Sequence, residues 1–310
     1  MTASPRNKTL TLTKEETQRF FSRCVSLSYV KKGEEILNKT INGDLFSVAP
    51  FLPNESVDLL VVDPPYNLTK NFDDEIFYET AGDVYRDFTE KWLKACLPLL
   101  KKDASAYVCC DWKSSIIIAP VLEKYLTIRN RITWQREKGR GASANWKNGM
   151  EDIWFCTVGN EYTFNLDDVK LRRKVLAPYK NDGVPKDWVE SEEGNYRDTC
   201  PSNFWDDITV PYWSMPENTA HPTQKPEKLL AKLILASSNE GDTVFDPFAG
   251  SGSTLVTAKK LGRNYFGVEK SEQYCAWCEC RLERAEEDKR IQGYEDGVFY
   301  ARGFSTGKKG

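Results

Sequence analysis

The chain has 310 residues, 40% of them hydrophobic and 29% charged, with a net charge of −3. That is an ordinary composition for a soluble globular protein able to bury a sizeable core. The charge argues against a uniformly basic nucleic-acid binder, and no apolar run approaches the ~20 residues of a membrane span. A single histidine, His221, argues against multi-histidine metal sites and against triad or zinc hydrolysis.

Residues 1–13 are polar and read as a loose arm without the apolar core of a secretory signal, so a cytoplasmic protein is expected. Lys14–Leu27 has helix character, with Phe20, Phe21 and Val25 near one face. A short strand, Thr40–Leu45, follows. Val57–Val62 is too short and too rich in β-branched residues for a helix, and reads as a buried parallel strand. It runs into Asp63-Pro64-Pro65-Tyr66, where two prolines forbid both helix and ladder continuation. Asn67–Asp83 is acidic and aromatic and reads as a mobile loop over that turn. Val84–Leu100 is an amphipathic helix, Ala104–Cys110 a strand, Ser114–Tyr125 a helix, and Arg129–Trp134 and Asp152–Thr157 two more strands. Between these two lies a basic, glycine-rich stretch, Gln135–Gly149. From Glu161 to Pro216, prolines alternate with aromatics and charges without periodicity, which predicts an irregular insertion. Regular pattern then resumes: helix Pro226–Ser237, strand Thr243–Asp246, helix Ser253–Leu261, strand Tyr265–Glu269 and helix Glu272–Lys289. Residues 291–310 read as a frayed tail.

Nine cysteines call for a metal check. Cys275, Cys278 and Cys280 fall in a helical segment, but one Cys-x-x-Cys-x-Cys run has no partner pair at structural-zinc spacing. Reduced, partly buried thiols are expected, and no metal.

Two stretches carry chemistry. Asp63, Pro64 and Tyr66 fix a carboxylate, an exposed carbonyl and an aromatic face at the carboxyl end of a strand, where ligands sit in open α/β sheets. Read alone, the turn is equally a plain strand-ending bend. The second stretch, Thr243–Leu255, places a strand end at Asp246, a Gly250-Ser251-Gly252 turn and a helix start near Ser253. Its glycines let the backbone approach a ligand, and the helix amino end can receive an anionic group. Gly-Lys-Ser/Thr is missing, so it is not a nucleoside-triphosphate loop. About twenty residues on, Glu269 ends the next strand, where a carboxylate can accept ribose hydroxyls. Together they imply a nucleoside cofactor without saying which.

Asp63-Pro-Pro-Tyr66, Phe248-Ala-Gly-Ser-Gly252 and His221-Pro-Thr-Gln-Lys-Pro226, in this order, resemble the β class of S-adenosylmethionine-dependent DNA amino-methyltransferases. The resemblance covers roughly Ile41–Leu282. It implies an α/β fold: a doubly wound, mostly parallel seven-stranded sheet with one antiparallel strand near an edge and an inserted target-recognition region. The implied division is 1–30 (arm and helix), 31–160 (catalytic half), 161–216 (target-recognition insertion), 217–290 (cofactor half) and 291–310 (tail). The implied activity is methylation of adenine N6 in a base flipped out of duplex DNA. Aspartate opening the tetrapeptide is similar to adenine-specific members, with cytosine N4 as the alternative. Methyl transfer to RNA or a protein amide, and a non-catalytic DNA-binding component, are further alternatives.

On this resemblance Asp63, Pro64, Pro65 and Tyr66 form the catalytic turn. Asp63 and the Pro64 carbonyl accept the amine N–H bonds and aim its lone pair, while Tyr66 stacks on the base, a contact worth ~1–3 kcal/mol. Asp44 and Leu45 are assigned to the cofactor's adenine end and Glu269 to its ribose. Asp246, Phe248, Ala249, Gly250, Ser251, Gly252 and Thr254 surround its methionine moiety, and Lys225 takes its carboxylate. His221 is expected to be structural. DNA contacts are expected from two basic segments, residues 129–147 and 170–186, each with six Arg or Lys against one acid. Arg136, Lys138, Arg140, Asn145 and Lys147 lie in the first, with Arg140 and Asn145 able to read base edges. Arg172, Arg173 and Lys174 form a phosphate clamp in the second. Trp188, Trp205, Tyr212 and Trp213 are expected as the small core of the insertion. Double-stranded DNA, a cognate restriction endonuclease and a homodimer are the partners implied, in a bacterial or phage-encoded, nucleoid-associated protein.

Overall fold

The computed structural model describes residues 6–72, 75–136, 144–176, 179–182, 184–191 and 194–302. Its main sheet is built from seven strands: β1 (Lys39–Asn42), β2 (Val57–Val62), β3 (Leu100–Cys110), β4 (Thr127–Gln135), β5 (Met150–Thr157), β6 (Thr243–Asp246) and β7 (Asn264–Glu269). Their spatial order is β1-β7-β6-β2-β3-β5-β4, and two-residue strands, Val25–Ser26 and Phe204–Trp205, extend the two edges. All seven run parallel except β5, which is antiparallel to both β3 and β4. The expected seven-stranded, doubly wound sheet with one reversed strand near an edge is therefore observed.

The apolar run of β2 is explained by burial on both sides. Leu60 and Val62 face one core with Trp92, Leu93, Val121 and Leu122, which come from α2 (Gly82–Cys96) and α3 (Trp112–Leu122). Leu59 and Val61 face the other, with Leu229, Leu233, Leu255, Val256, Cys278 and Leu282. These come from α4 (Glu227–Ser237), α5 (Ser253–Lys260) and α6 (Glu272–Glu287). Helices after β2 and β3 cover one face and those flanking β6 and β7 cover the other, so the winding reverses between β2 and β6. That is the switch point at which an open sheet leaves a crevice.

Several boundaries differ from the sequence reading. The first helix stops at Phe21, capped at its start by a Thr13–Glu16 capping box; Val25–Ser26 then joins the sheet and a second helix covers Leu27–Lys31. Leu45 is helical because Asp44 caps Leu45–Val48. The loop after the Pro-Pro turn contains a short antiparallel ribbon, Lys70–Phe72 with Glu75–Phe77.

The tail is the largest departure. Val298–Tyr300 pairs in parallel with Leu171–Lys174 of the insertion, and Tyr196–Thr199 and Tyr294–Glu295 complete a four-stranded sheet. Phe299 is fully buried against Val169, Leu171, Ala231 and Leu235. Buried ion pairs bind the same layers: Lys228 and Lys232 hold Asp207 at 2.7 and 3.0 Å, and Lys228 also donates to the Tyr300 carbonyl at 2.7 Å. The tail docks because one ring fills a hole between the insertion and α4, a long-range fit that short periodicity cannot reveal. Phe299→Ala is expected to cost about 3–5 kcal/mol, read as a lowered midpoint in urea unfolding; an unchanged midpoint would show the hairpin to be dispensable.

Candidate active site

The carboxyl ends of four adjacent parallel strands deliver four carboxylates side by side. Asp44 follows β1, Glu269 ends β7, Asp246 ends β6 and Asp63 follows β2. All four line one cavity of about 930 Å³. Its wall also includes Leu45, Pro64, Pro65, Tyr66, Phe248, Ala249, Gly250, Ser251 and Thr254. The two motifs, far apart in sequence, meet because β2 and β6 are hydrogen-bonded neighbours, with Leu59 opposite Val244.

The Pro-Pro turn is held from several directions. The Tyr85 hydroxyl donates to the Pro65 carbonyl at 3.0 Å, and the Asn67 amide donates to Ser114 Oγ at 3.1 Å. The Tyr66 hydroxyl reaches Asp63 Oδ1 at 2.9 Å. On the other side, Glu269 accepts the Gly250 amide at 2.8 Å and the Ser271 amide at 2.7 Å.

Gly250 and Gly252 both have positive φ, 53° and 80°, but they serve different neighbours. Gly250 lines the cavity under the His221 ring, whereas a Cβ on Gly252 would lie 2.2 Å from Cys278 Sγ. Gly252 thus lets α5 pack onto α6; it does not line the cavity. The His221 ring meets Tyr274 edge-on at 4.5 Å and lines the cavity. Beneath the turn, buried Arg281 donates to the Ser251 carbonyl at 2.7 Å, Ser253 Oγ at 3.0 Å and Glu227 at 2.9 Å. Sequence reading missed Arg281, because an isolated arginine among acids and cysteines on a helix gives no local signal of what it meets.

Lys225, expected from sequence at the cofactor carboxylate, lines the cavity. Its Nζ lies against the Pro-Pro turn, 2.6 Å from Asp63 Oδ2, 3.1 Å from the Tyr66 hydroxyl and 3.4 Å from Glu151 Oε2. Burial opposes its charge, yet Asp63 and Glu151 outweigh that and raise its pKa. Glu151, on β5, was not singled out from sequence. It is buried, ion-paired to Arg136 and within 3.3 Å of the Tyr66 hydroxyl. The available signal was an acidic pair, Glu151-Asp152, opening an otherwise apolar strand.

Arg136 therefore belongs to the cavity wall. Lys138 and Arg140 lie outside the described residues, while Asn145 and Lys147 are exposed beside the cavity mouth residues Asn148 and Met150. Arg172 is committed to Asp198 through two bonds of 2.8 and 2.7 Å, with its guanidinium 4.1 Å from the Tyr196 ring. It holds the small sheet together; Arg173 is half-buried and Lys174 exposed. Trp188 is buried, but Trp205 packs into the core under the main sheet with Leu229 and Leu233 and not into a separate insertion core, and Tyr212 and Trp213 are 36% and 51% exposed.

The cavity suits a cationic, nucleoside-bearing ligand. It offers the four strand-end carboxylates together with Asp111, Glu151 and Glu272, the Phe46 and Phe248 rings and a glycine turn. Asp246 is raised to about 7, first by burial, against hydrogen bonds from Thr254 and the Phe248 amide, with Asp63 and Glu269 adding repulsion. Folding with this carboxyl protonated means that the native state retains a proton lost by the unfolded chain between pH ~4 and ~7. Asp246 therefore lowers stability as pH rises through that window. A bound cation reverses the preference. Affinity for S-adenosylmethionine is expected to rise up to about tenfold per pH unit below 7 and to level off above it. Titration calorimetry from pH 5.5 to 8 checks this, and Asp246→Asn should flatten the profile; an equal slope in that variant would assign it elsewhere. Among the described residues no cluster of His, Cys, Asp and Glu could hold a metal, and no helix is long and apolar enough to cross a membrane.

Comparison with known proteins agrees with this geometry. The profile of a family described as DNA methylase matches residues 57–279. The chain is 34% identical over 250 residues to the type II methyltransferase M.HpaI of Haemophilus parainfluenzae, covering 79% of this chain and 72% of that one. It is 36% identical over 241 residues to the DNA adenine methyltransferase YhdJ of Escherichia coli, covering 76% and 79%. Among solved structures, the M1.HpyAVI–SAM complex superposes with a TM-score of 0.54 at 24% identity, covering 78% of this chain and 98% of that one. The cytosine-N4-specific PvuII DNA methyltransferase superposes at 0.59 with 17% identity, covering 80% and 90%. At such identities these two speak for the fold alone.

Proposed function

Because the chain belongs to the DNA methylase family of S-adenosylmethionine-dependent amino-methyltransferases, we propose that its cavity methylates the N6 amine of a flipped-out adenine in duplex DNA. The observation that carries the reading is the meeting of Asp63-Pro-Pro-Tyr66 with Asp246, Gly250 and Glu269 in one cavity. Adenine is preferred because a relative at 36% identity is named a DNA adenine methyltransferase and because aspartate opens the tetrapeptide.

When bound, S-adenosylmethionine supplies an electrophilic methyl group on a sulfonium sulfur. Glu269 and Asp44 would hold its nucleoside end, and Asp246, with Phe248 to Ser251 and Thr254, its methionine end. The adenine amine is a poor nucleophile because its lone pair is delocalised into the ring. Asp63 and the Pro64 carbonyl each accept one N–H bond, drawing the nitrogen toward tetrahedral geometry and aiming the lone pair into the cavity. Positioning is then the main gain, with electrostatic help from the acceptors. Tyr66 offers its ring to the base, offsetting part of the few kcal/mol of unstacking.

DNA would meet the mouth of the cavity at Asn145, Lys147 and Arg136 and the outer basic surface at Arg173 and Lys174. Arg172 contributes through the sheet it stabilises. A cognate restriction endonuclease is supported by the type II designation of the Haemophilus relative. A homodimer rests on the family resemblance, as does association with the nucleoid in the cytoplasm. The test is incubation with methyl-labelled cofactor and unmethylated genomic DNA, followed by nucleoside analysis. N6-methyladenine is the expected product; N4-methylcytosine as sole product would move the chain to the other branch of the family.

A further inference from the structure

Asp63 is expected to grip the target amine, yet both of its oxygens are engaged, one by Lys225 at 2.6 Å and one by the Tyr66 hydroxyl at 2.9 Å. A charge-assisted bond as short as that to Lys225 is among the strongest of protein hydrogen bonds and lowers the oxygen's power to accept another. The ammonium is buried, its side chain 7% exposed, and cannot withdraw to water. A buried charge separated from its partner costs several kcal/mol unless another takes over.

The second partner is in place. Glu151 Oε2 lies 3.4 Å from Lys225 Nζ and 3.3 Å from the Tyr66 hydroxyl. A shift of under ~1 Å converts the first of these into a full charge-assisted bond. Glu151 is held for that purpose by Arg136, which pairs with its other oxygen, Oε1. Asp63 and Glu151 against Lys225 and Arg136 make two acids and two bases, so Lys225 can change partners without altering the charge of the site.

We propose that Glu151 is a positioning residue for the transfer reaction: it takes Lys225, and with it the Tyr66 hydroxyl, from Asp63 when the target amine enters, freeing Asp63 to accept the amine. In the base-free site Lys225 stores Asp63 as an ion pair; in the loaded site Glu151 holds Lys225 aside. The exchange rests on the methyl-transfer reading above. Glu151 touches neither cofactor nor base in this scheme and acts only through Lys225 and Tyr66.

The experiment is a double-mutant cycle on the full chain, with single-turnover methylation of DNA and, separately, S-adenosylmethionine affinity without DNA as readouts. Glu151→Gln keeps size and hydrogen bonding but cannot balance the ammonium. It is expected to lower the single-turnover rate about 10- to 100-fold while cofactor affinity stays within about threefold. Glu151→Asp, which keeps the charge, should recover part of the loss, and it supplies the comparison if the glutamine variant folds poorly. In a Lys225→Met background, Glu151→Gln should cost less than about threefold, because no cation remains to be drawn off Asp63. A full loss in that background, or an unchanged rate in Glu151→Gln, would overturn the exchange while leaving the methyl-transfer reading intact. A wild-type chain that methylates no DNA would overturn that reading, and the exchange with it.

Discussion

Asp63→Ala is expected to lower methyl transfer by roughly 10²–10³-fold or more, the loss seen when a transition-state hydrogen-bond partner is removed. Cofactor affinity should change by less than about threefold. The separation follows from geometry: Asp63 follows β2, whereas Glu269 ends β7 and Asp44 follows β1, both beyond β6. Losing Asp63 does not strand Lys225, since Glu151 lies 3.4 Å away, so the variant should fold. Asp63→Asn keeps one carbonyl acceptor and should fall between alanine and wild type. The measurement pairs single-turnover transfer with calorimetric cofactor binding. Normal turnover in Asp63→Ala would remove the carboxylate from the mechanism, and equal losses in both readouts would make it a cofactor ligand.

Gly252→Ala carries the second large effect, and it acts on folding. At φ 80° any side chain is strained, a cost of about 1–2 kcal/mol. The new Cβ would also stand 2.2 Å from Cys278 Sγ, 2.8 Å from its Cβ and 3.1 Å from its Cα. Overpacking of that kind adds about 1–3 kcal/mol, so a loss of roughly 2–5 kcal/mol is expected in denaturant unfolding. Cofactor affinity should fall with it, because α5 begins at Ser253 and the turn before it is tied to Arg281 at Ser251 and Ser253. Adding Cys278→Ala removes the sulfur but neither the backbone contact nor the strain, and should restore only part of the stability. Full restoration would show that crowding at sulfur was the whole effect; no loss in the single variant would show that α5 and α6 can separate freely.

These two positions also mark what could be read in the chain beforehand. Asp63 was legible because a strand ending in two prolines is a local pattern, and its role followed from a second local pattern at Asp246 and Gly250. Gly252 was legible as a glycine of that motif but assigned the wrong neighbour. Whether a glycine meets a ligand or a helix depends on what packs above it, and Cys278 lies 26 residues further on. The same limit explains Lys225 and Arg172. Each was identified as a functional cation from a run or motif, and each proves to be held by a carboxylate from elsewhere, Asp63 and Glu151 in one case and Asp198 in the other.

What the amino-acid order determined by itself is the set of strands, the turns at their carboxyl ends and hence the carboxylates placed at those ends. Short apolar runs, proline and glycine act over a few residues and are written locally. What only the tertiary structure decided is which charges meet: that Glu151 and Arg136 surround the Asp63–Lys225 pair, that Arg281 underpins the Gly250–Gly252 turn, and that the tail closes the insertion through Phe299. Ion pairing and cavity filling are set by distance in space, and that distance depends on strand order, which no local pattern encodes.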